Sequence, residues 1–175
     1  MALRNIVKIG DPALRKNARK VTNFDDKLHL LLDDMKETME EANGVGLAAP
    51  QVGINRSIVT IDVGEGLVEL INPEILETSG EQINLEGCLS VEDTKEYVRR
   101  PEHVKIRAQN RTGEWVEYDA YDYFAIAVCH ETDHLNGVLF VDKIADLTEE
   151  ELEELRKRDE EAEADDEDFD TQEDD

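Results

Sequence analysis

His130-Glu131-Thr132-Asp133-His134 is the stretch on which the reading of this chain turns. Residues four apart on an α-helix lie one turn apart on the same face, so His130 and His134 can offer two imidazoles to one metal ion. Glu131 stands beside the first of them, where a carboxylate can take a proton from a metal-bound water and later return it. The flanks predict a helix over 123–136, with Phe124, Ala127, Val128 and Leu135 broadly on one side and Gly137 in the position of a stop. Two ligands are too few, because a catalytic site ordinarily has three protein ligands and an open position.

The third ligand sets the enzyme class. One protease family continues the motif as H-x-x-G-x-x-H; here Gly137 fits, but Phe140 replaces the third histidine, which excludes that family. A protease using a downstream glutamate would draw on Glu149, Glu150, Glu151, Glu153 or Glu154, whose abundance follows from an acidic tail. Cys129 adjoins His130 and points about 100° away around the helix, so it reads as a small core residue. Cys88, in Leu85-Glu86-Gly87-Cys88-Leu89-Ser90 between strand-like segments, can present a thiolate from a neighbouring strand, and the need for a third ligand favours it.

Residues 25–42 carry Leu28, Leu31, Leu32, Met35, Met39 and Ala42 at helical spacing, with Asp25 or Asn23 as cap and Asn43-Gly44 as end. His29 lies off that stripe and is expected to be solvated. Asp11-Pro12 predicts a short capped turn. The stretches 57–63, 67–71, 103–108 and 114–121 are β-branched or alternate in polarity, and Asn110-Arg111-Thr112-Gly113 predicts a hairpin turn between the last two. The helix–strands–helix order indicates an α+β fold, a compact single domain of antiparallel strands packed around the metal-binding helix. Between the first helix and the strands lies Gly44-Val45-Gly46-Leu47-Ala48-Ala49-Pro50-Gln51-Val52-Gly53, too unlike a phosphate loop to bind phosphate. Its small residues let backbone approach a ligand, and Gln51 offers an amide donor to a developing oxyanion.

The 175 residues carry 44 acidic and 19 basic side chains, a net charge of -25. Residues 146–175 account for 18 acidic and 3 basic, leaving 26 and 16 for the rest. A catalytic domain over 1–147 is therefore expected, followed by an acidic tail over 148–175 that opens as a short helix with a Thr148–Glu151 capping box and is largely disordered from about Ala162. The negative surface argues against DNA and anionic membranes as partners. No apolar run is long enough to span a bilayer or serve as a secretory signal, so a cytoplasmic protein is expected.

Together, G-V-G-L-A-A-P-Q at 44–51, E-G-C-L-S at 86–90 and H-E-T-D-H at 130–134 resemble the three motifs of the peptide deformylase family, a likeness running from Asp11-Pro12-Ala13-Leu14-Arg15 to about Ile144. The resemblance implies an α+β metallohydrolase that removes the N-formyl group from the first methionine of nascent polypeptides and releases formate. It implies Cys88, His130 and His134 as ligands of Fe2+, with Zn2+, Ni2+ or Co2+ able to substitute, and Glu131 as the acid/base. Gln51 and the Leu89 N–H would stabilise the oxyanion. Val45, Tyr123, Ile126 and His130 would wall the methionine pocket, and backbone at Gly46 would pair with the peptide as an added strand. An H-E-x-x-H endopeptidase and a non-catalytic structural metal protein are the alternatives. The family commonly has proline where this chain has Glu92, and glutamine where it has Cys129. Arg99-Arg100 could supply a partner for Glu86. Transient ribosome contact is implied, but the acidic tail argues against docking through a basic C-terminal helix.

Overall fold

The computed structural model describes residues 2–170, in two units, Met1–Ile144 and Ala145–Asp175. In the first, a 3-10 turn at Pro12–Arg15 precedes α1 (Asp26–Glu41), β1 (Gly46–Ala48), a 3-10 turn at Ala49–Val52, β2 (Ile58–Ile61), β3 (Val68–Ser79), β4 (Gln82–Cys88), β5 (Val91–Arg100), β6 (His103–Gln109), β7 (Trp115–Tyr121), α2 (Asp122–His134) and a last 3-10 turn at Phe140–Lys143. Each pairing between these strands is antiparallel. Five strands form one sheet in the order β1-β2-β3-β6-β7, and β4 and β5 form a separate two-stranded hairpin. This is the expected α+β class.

Two helices cover opposite faces of one end of the large sheet, and the side-chain alternation sorts accordingly. Leu47, Ile58 and Ile71 pack with Leu28, Leu32, Met35 and Met39 of α1. Their strand neighbours Ala48, Val59, Ile61 and Leu70 pack with Ala125, Val128 and Cys129 of α2. A strand covered on both faces reads as a continuous apolar run, which is why β2 is buried at all four positions. In β6 alternate residues Val104, Ile106 and Ala108 are buried and the rest are not. Each fully buried Leu or Ile contributes about 1.5–3 kcal/mol.

Helix α1 begins where Asp25 Oδ1 accepts the Leu28 N–H at 3.1 Å. It ends with Asn43 at φ +53°, the Asn43 N–H donating to Glu40 O at 3.0 Å and the Gly44 N–H to Met39 O at 2.9 Å; the paired bonds close the last turn's free carbonyls. His29 is not simply solvated: its ring nitrogen Nε2 lies 2.7 Å from the Arg111 carbonyl oxygen, so it ties α1 to the β6–β7 turn.

Three expectations need correction. The strand expected to end at Ile71 continues as β3 to Ser79, past Asn72-Pro73, because Asn72 sits at φ +52° at a register shift and its side chain bonds the Val21 N–H and carbonyl, both at 2.8 Å. Helix α2 is not one-sided: all of Ala125–Thr132 is buried, because the sheet lies on one side and the β4–β5 hairpin with the Phe140 turn closes the other. In the second unit, α3 (Glu149–Asp170) extends past Ala162, since Glu and Ala are strong helix formers; the remainder of the expected disorder, 171–175, lies outside the described residues. The capping box at its start is present, with the Thr148 N–H donating to Glu151 Oε2 at 2.8 Å and the Glu151 N–H to Thr148 Oγ1 at 3.2 Å.

Gly137 ends α2 at φ +70°, and a Cβ there would lie 2.6 Å from the Arg15 carbonyl oxygen. Gly137→Ala is therefore expected to cost about 2 kcal/mol or more through strain and a forced backbone shift, read as a lower denaturant midpoint at unchanged slope.

Candidate metal and active site

The site forms where the β4–β5 hairpin meets α2. Residues two apart on a strand share a face, so Glu86 and Cys88 of β4 both reach the helix. A register shift between Glu86 and Cys88 bends the strand beside the site, a usual device for re-aiming a side chain. Cys88, His130 and His134 each bring one donor atom to within 4.8 Å of the others, with Cys88 Sγ 3.5 Å from His134 Nε2. Cys129 stays in the core, its thiol pushed up to about 11 by burial.

Glu86 orders this cluster from behind. It is buried, accepts from His130 Nδ1 at 2.9 Å, and takes both Arg100 Nε and Nη2 at 2.9 Å. Burial alone would raise its pKa, but the hydrogen bonds from His130 and Arg100 outweigh that and hold it below the ordinary value. With Nδ1 bonded to a carboxylate, His130 has Nε2 available as a donor toward the cluster. Arg100 also donates through Nη1 to Asp133 Oδ2 at 2.7 Å, and Lys143 Nζ reaches the same carboxylate at 3.1 Å. The expected partner of Glu86 is thus Arg100. Arg99 points outward and pairs with Glu81.

Glu131 lies on the other flank of His130, its Oε1 4.0 Å from His130 Nε2. It fits there because β1 presents Gly46: a Cβ at that position would fall 2.5 Å from Glu131 Oε1. Burial raises its pKa to about 7, near the value at which one group both accepts and donates a proton at neutrality. Among the described residues, Glu131 Oε2 and His134 Nδ1 are buried without a hydrogen-bond partner. In His130, burial is outweighed by bonds to Cys88 and Glu86, which carry its pKa up to about 10; in His134, burial and the charge of His130 bring it down to about 3. One soft sulfur, two imidazoles and an adjacent carboxylate make a donor set that fits a divalent transition metal.

Gln51 is buried on the Cys88 side. Its Oε1 accepts the Ala48 N–H at 2.9 Å, which aims Nε2 at Ser90 Oγ, 3.1 Å away, and at Cys88 Sγ, 3.6 Å away. Leu89 follows Cys88 in the hairpin turn, and its side chain closes over Gly44. Among the expected pocket residues, Gly46 and Ile126 are buried, whereas Val45 and Tyr123 are exposed. Phe140 stacks on the His130 ring at 5.9 Å between centroids. Sequence reasoning passed over Ser90, Asp133 and Phe140 as contributors; the first two lie inside quoted motifs, but nothing local marks the partners they meet. Glu92, where the family commonly has proline, pairs with Lys8 at 2.8 Å.

The polypeptide deformylase family model matches residues 3–150. The chain belongs to the peptide deformylase family. It is accordingly a metal-dependent hydrolase that removes the N-formyl group from the N-terminal methionine of polypeptides. It is 60% identical over 146 residues to "Peptide deformylase 1" of Clostridium acetobutylicum, covering 83% of this chain and 97% of that protein. The crystal structure of peptide deformylase from Thermotoga maritima superposes with a TM-score of 0.81 at 46% identity, covering 82% of this chain and 99% of that one. A Met-Ala-Ser-bound class I type b peptide deformylase from Acinetobacter baumannii superposes at 0.78 and 38% identity, covering 81% and 98%. Among the described residues no helix is long and apolar enough to cross a membrane.

Because Glu131 titrates near 7 when folded, against an ordinary 4.5, its stabilising contribution is complete below 4.5 and is lost as pH rises through about 7. Metal-free wild type should therefore lose up to about 3 kcal/mol relative to metal-free Glu131→Gln across that interval, measured by urea unfolding at a series of pH values.

Proposed function

We propose that Cys88, His130 and His134 hold the metal of this deformylase, Fe2+ with Zn2+, Ni2+ or Co2+ able to substitute, and that Glu131 is the acid/base. The observation that carries this reading is the convergence of one thiol and two imidazoles beside a buried carboxylate whose pKa lies near 7. When bound, such an ion lowers the pKa of a water and draws electron density from the formyl oxygen. Glu131 takes the proton of the attacking water at its carboxylate and delivers it to the departing amine nitrogen. Gln51 Nε2 and the Leu89 N–H donate to the oxygen on which negative charge grows; Gln51 is anchored through Oε1 on the Ala48 N–H and through one Nε2 hydrogen on Ser90 Oγ, and its second Nε2 hydrogen turns from Cys88 Sγ to that oxygen. Glu86 and Arg100 hold the His130 ring in one orientation and tautomer.

The methionine side chain enters between Val45, Tyr123, Ile126 and the His130 ring, and the peptide runs along β1 at Gly46 as an added strand. β1 is an edge strand of the sheet, and the edge of a sheet is the ordinary seat for an extended peptide. The Acinetobacter baumannii relative was crystallised with Met-Ala-Ser bound, a ligand of the same chemistry as the deformylated product. The substrate is a nascent formyl-methionyl polypeptide in the cytoplasm, met during transient contact with the ribosome; the acidic α3 does not serve as a basic docking helix.

The deciding assay is formate release from formyl-Met peptides by a protein prepared without oxygen, with metal content measured alongside. A folded, metal-replete sample without activity would refute the assignment. Cys88→Ala should lose stoichiometric metal, whereas a metal retained there would point to a glutamate ligand and a different hydrolase. Glu131→Ala should keep the metal and lose about 10²–10⁴-fold in kcat.

We also place the catalytic domain within residues 1–147 and read 148–175 as an acidic appendage, since none of the residues assigned above lies beyond His134. Truncation after Leu147 should leave kcat/KM for formyl-Met peptides within about twofold of the full chain, measured at matched metal content.

A further inference from the structure

Residues 7–9 run between the two loops that carry the proposed oxyanion donors. The Val7 N–H donates to the Gln51 carbonyl at 2.8 Å and the Ile9 N–H to the Ser90 carbonyl at 2.9 Å. Between them, Lys8 Nζ donates to the Leu89 carbonyl at 2.9 Å and pairs with Glu92 Oε1 at 2.8 Å. One short segment thus grips both loops on the backbone, and its Lys8 side chain sets a cation on the carbonyl of Leu89, the residue whose N–H is assigned above to the oxyanion.

We propose that Lys8 is a positioning residue for deformylation, its ammonium bridging the Leu89 carbonyl and the Glu92 carboxylate so that the turn presents the Leu89 N–H in a single orientation. The inference rests on the reading of Leu89 as an oxyanion donor given above. The Leu89 N–H belongs to the 88–89 peptide group and its C=O to the 89–90 group, joined at one Cα, so the held carbonyl anchors one side of the residue from which the N–H projects and narrows the motion of the turn. The Ser90 carbonyl is held by Ile9 and the Ser90 hydroxyl by Gln51, and Lys8 adds a hold on the Leu89 carbonyl. Lys8 touches none of the reacting groups.

The Lys8 side chain is 47% exposed and that of Glu92 68% exposed, so the pair adds little to global stability. Its effect is geometric and belongs to kcat. Complete loss of an oxyanion donor costs about 10²–10³ in kcat; a donor that is only less well held should cost about threefold to tenfold.

The test uses the full chain with its metal. Lys8→Met, Lys8→Arg, Glu92→Gln and Gln51→Ala are compared for kcat and KM on a formyl-Met peptide, for melting temperature, and for hydrogen exchange at the Leu89 amide by NMR. Lys8→Met is expected to lower kcat about fivefold, with KM within about twofold and an unchanged melting temperature. The Leu89 amide should exchange faster, Lys8→Arg should recover most of kcat, and Glu92→Gln should fall between. If Gln51→Ala is impaired while Lys8→Met keeps both kcat and Leu89 exchange at wild-type values, the inference is overturned and the oxyanion reading stands. If Gln51→Ala retains full kcat, Gln51 is not an oxyanion donor, and the inference is then decided by kcat and Leu89 exchange in Lys8→Met: both unchanged overturns it. Loss of kcat in Lys8→Met that tracks a lowered melting temperature, with no recovery in Lys8→Arg, would mark a structural role and also overturn it.

Discussion

A single buried carboxylate holds the two halves of this site together. Glu86 comes from a hairpin and His130 from a helix 44 residues later; the bond between them at 2.9 Å is backed by two further bonds from Arg100, which compensate the buried carboxylate's charge. Removing one partner from such an arrangement leaves an uncompensated buried charge, a loss of about 3–5 kcal/mol. The hairpin is therefore locked against the helix in one register. Cys88, two residues along the same face, is carried to His134 by that register.

The same economy governs the small residues. Gly46 has no side chain because Glu131 occupies the space where one would stand, and Gly137 has none because the Arg15 backbone does. The N-terminal segment ties these parts together: Ala18 N–H bonds to Leu135 O at 2.8 Å at the end of α2, Val7 to the Gln51 carbonyl and Ile9 to that of Ser90. The segment ahead of α1 thus braces both loops and helix α2.

Much of the fold was legible along the chain because period and punctuation are local. The α1 stripe, its Asp25 cap and Asn43 end, and the Asn110–Gly113 turn all came out where the residues placed them. The β4–β5 hairpin did not, since Thr94-Lys95-Glu96 is too polar to read as strand and only its pairing with β4 makes it one. Helix α2 misled in another way: a helix buried on every side has no stripe to read. Arg100 could be offered as a partner for Glu86 but not chosen over Arg99, because neighbouring strand residues face opposite ways and the sequence does not say which face is covered.

By itself, then, the sequence determined the chemistry available here: two histidines one turn apart, a glutamate between them, a cysteine in a distant strand-like segment, and an acidic stretch separable from all of these. Such features depend on residue type and on spacings within a few positions, which helix and strand geometry convert directly into direction. Only the tertiary structure decided that Glu86 is spoken for by Arg100 and not Arg99, and that Lys8 reaches the carbonyl of Leu89 across 81 positions. Those contacts join segments far apart in the chain, and they are selected by the packing of whole surfaces and by the cost of leaving a buried charge unpaired, neither of which any local pattern records.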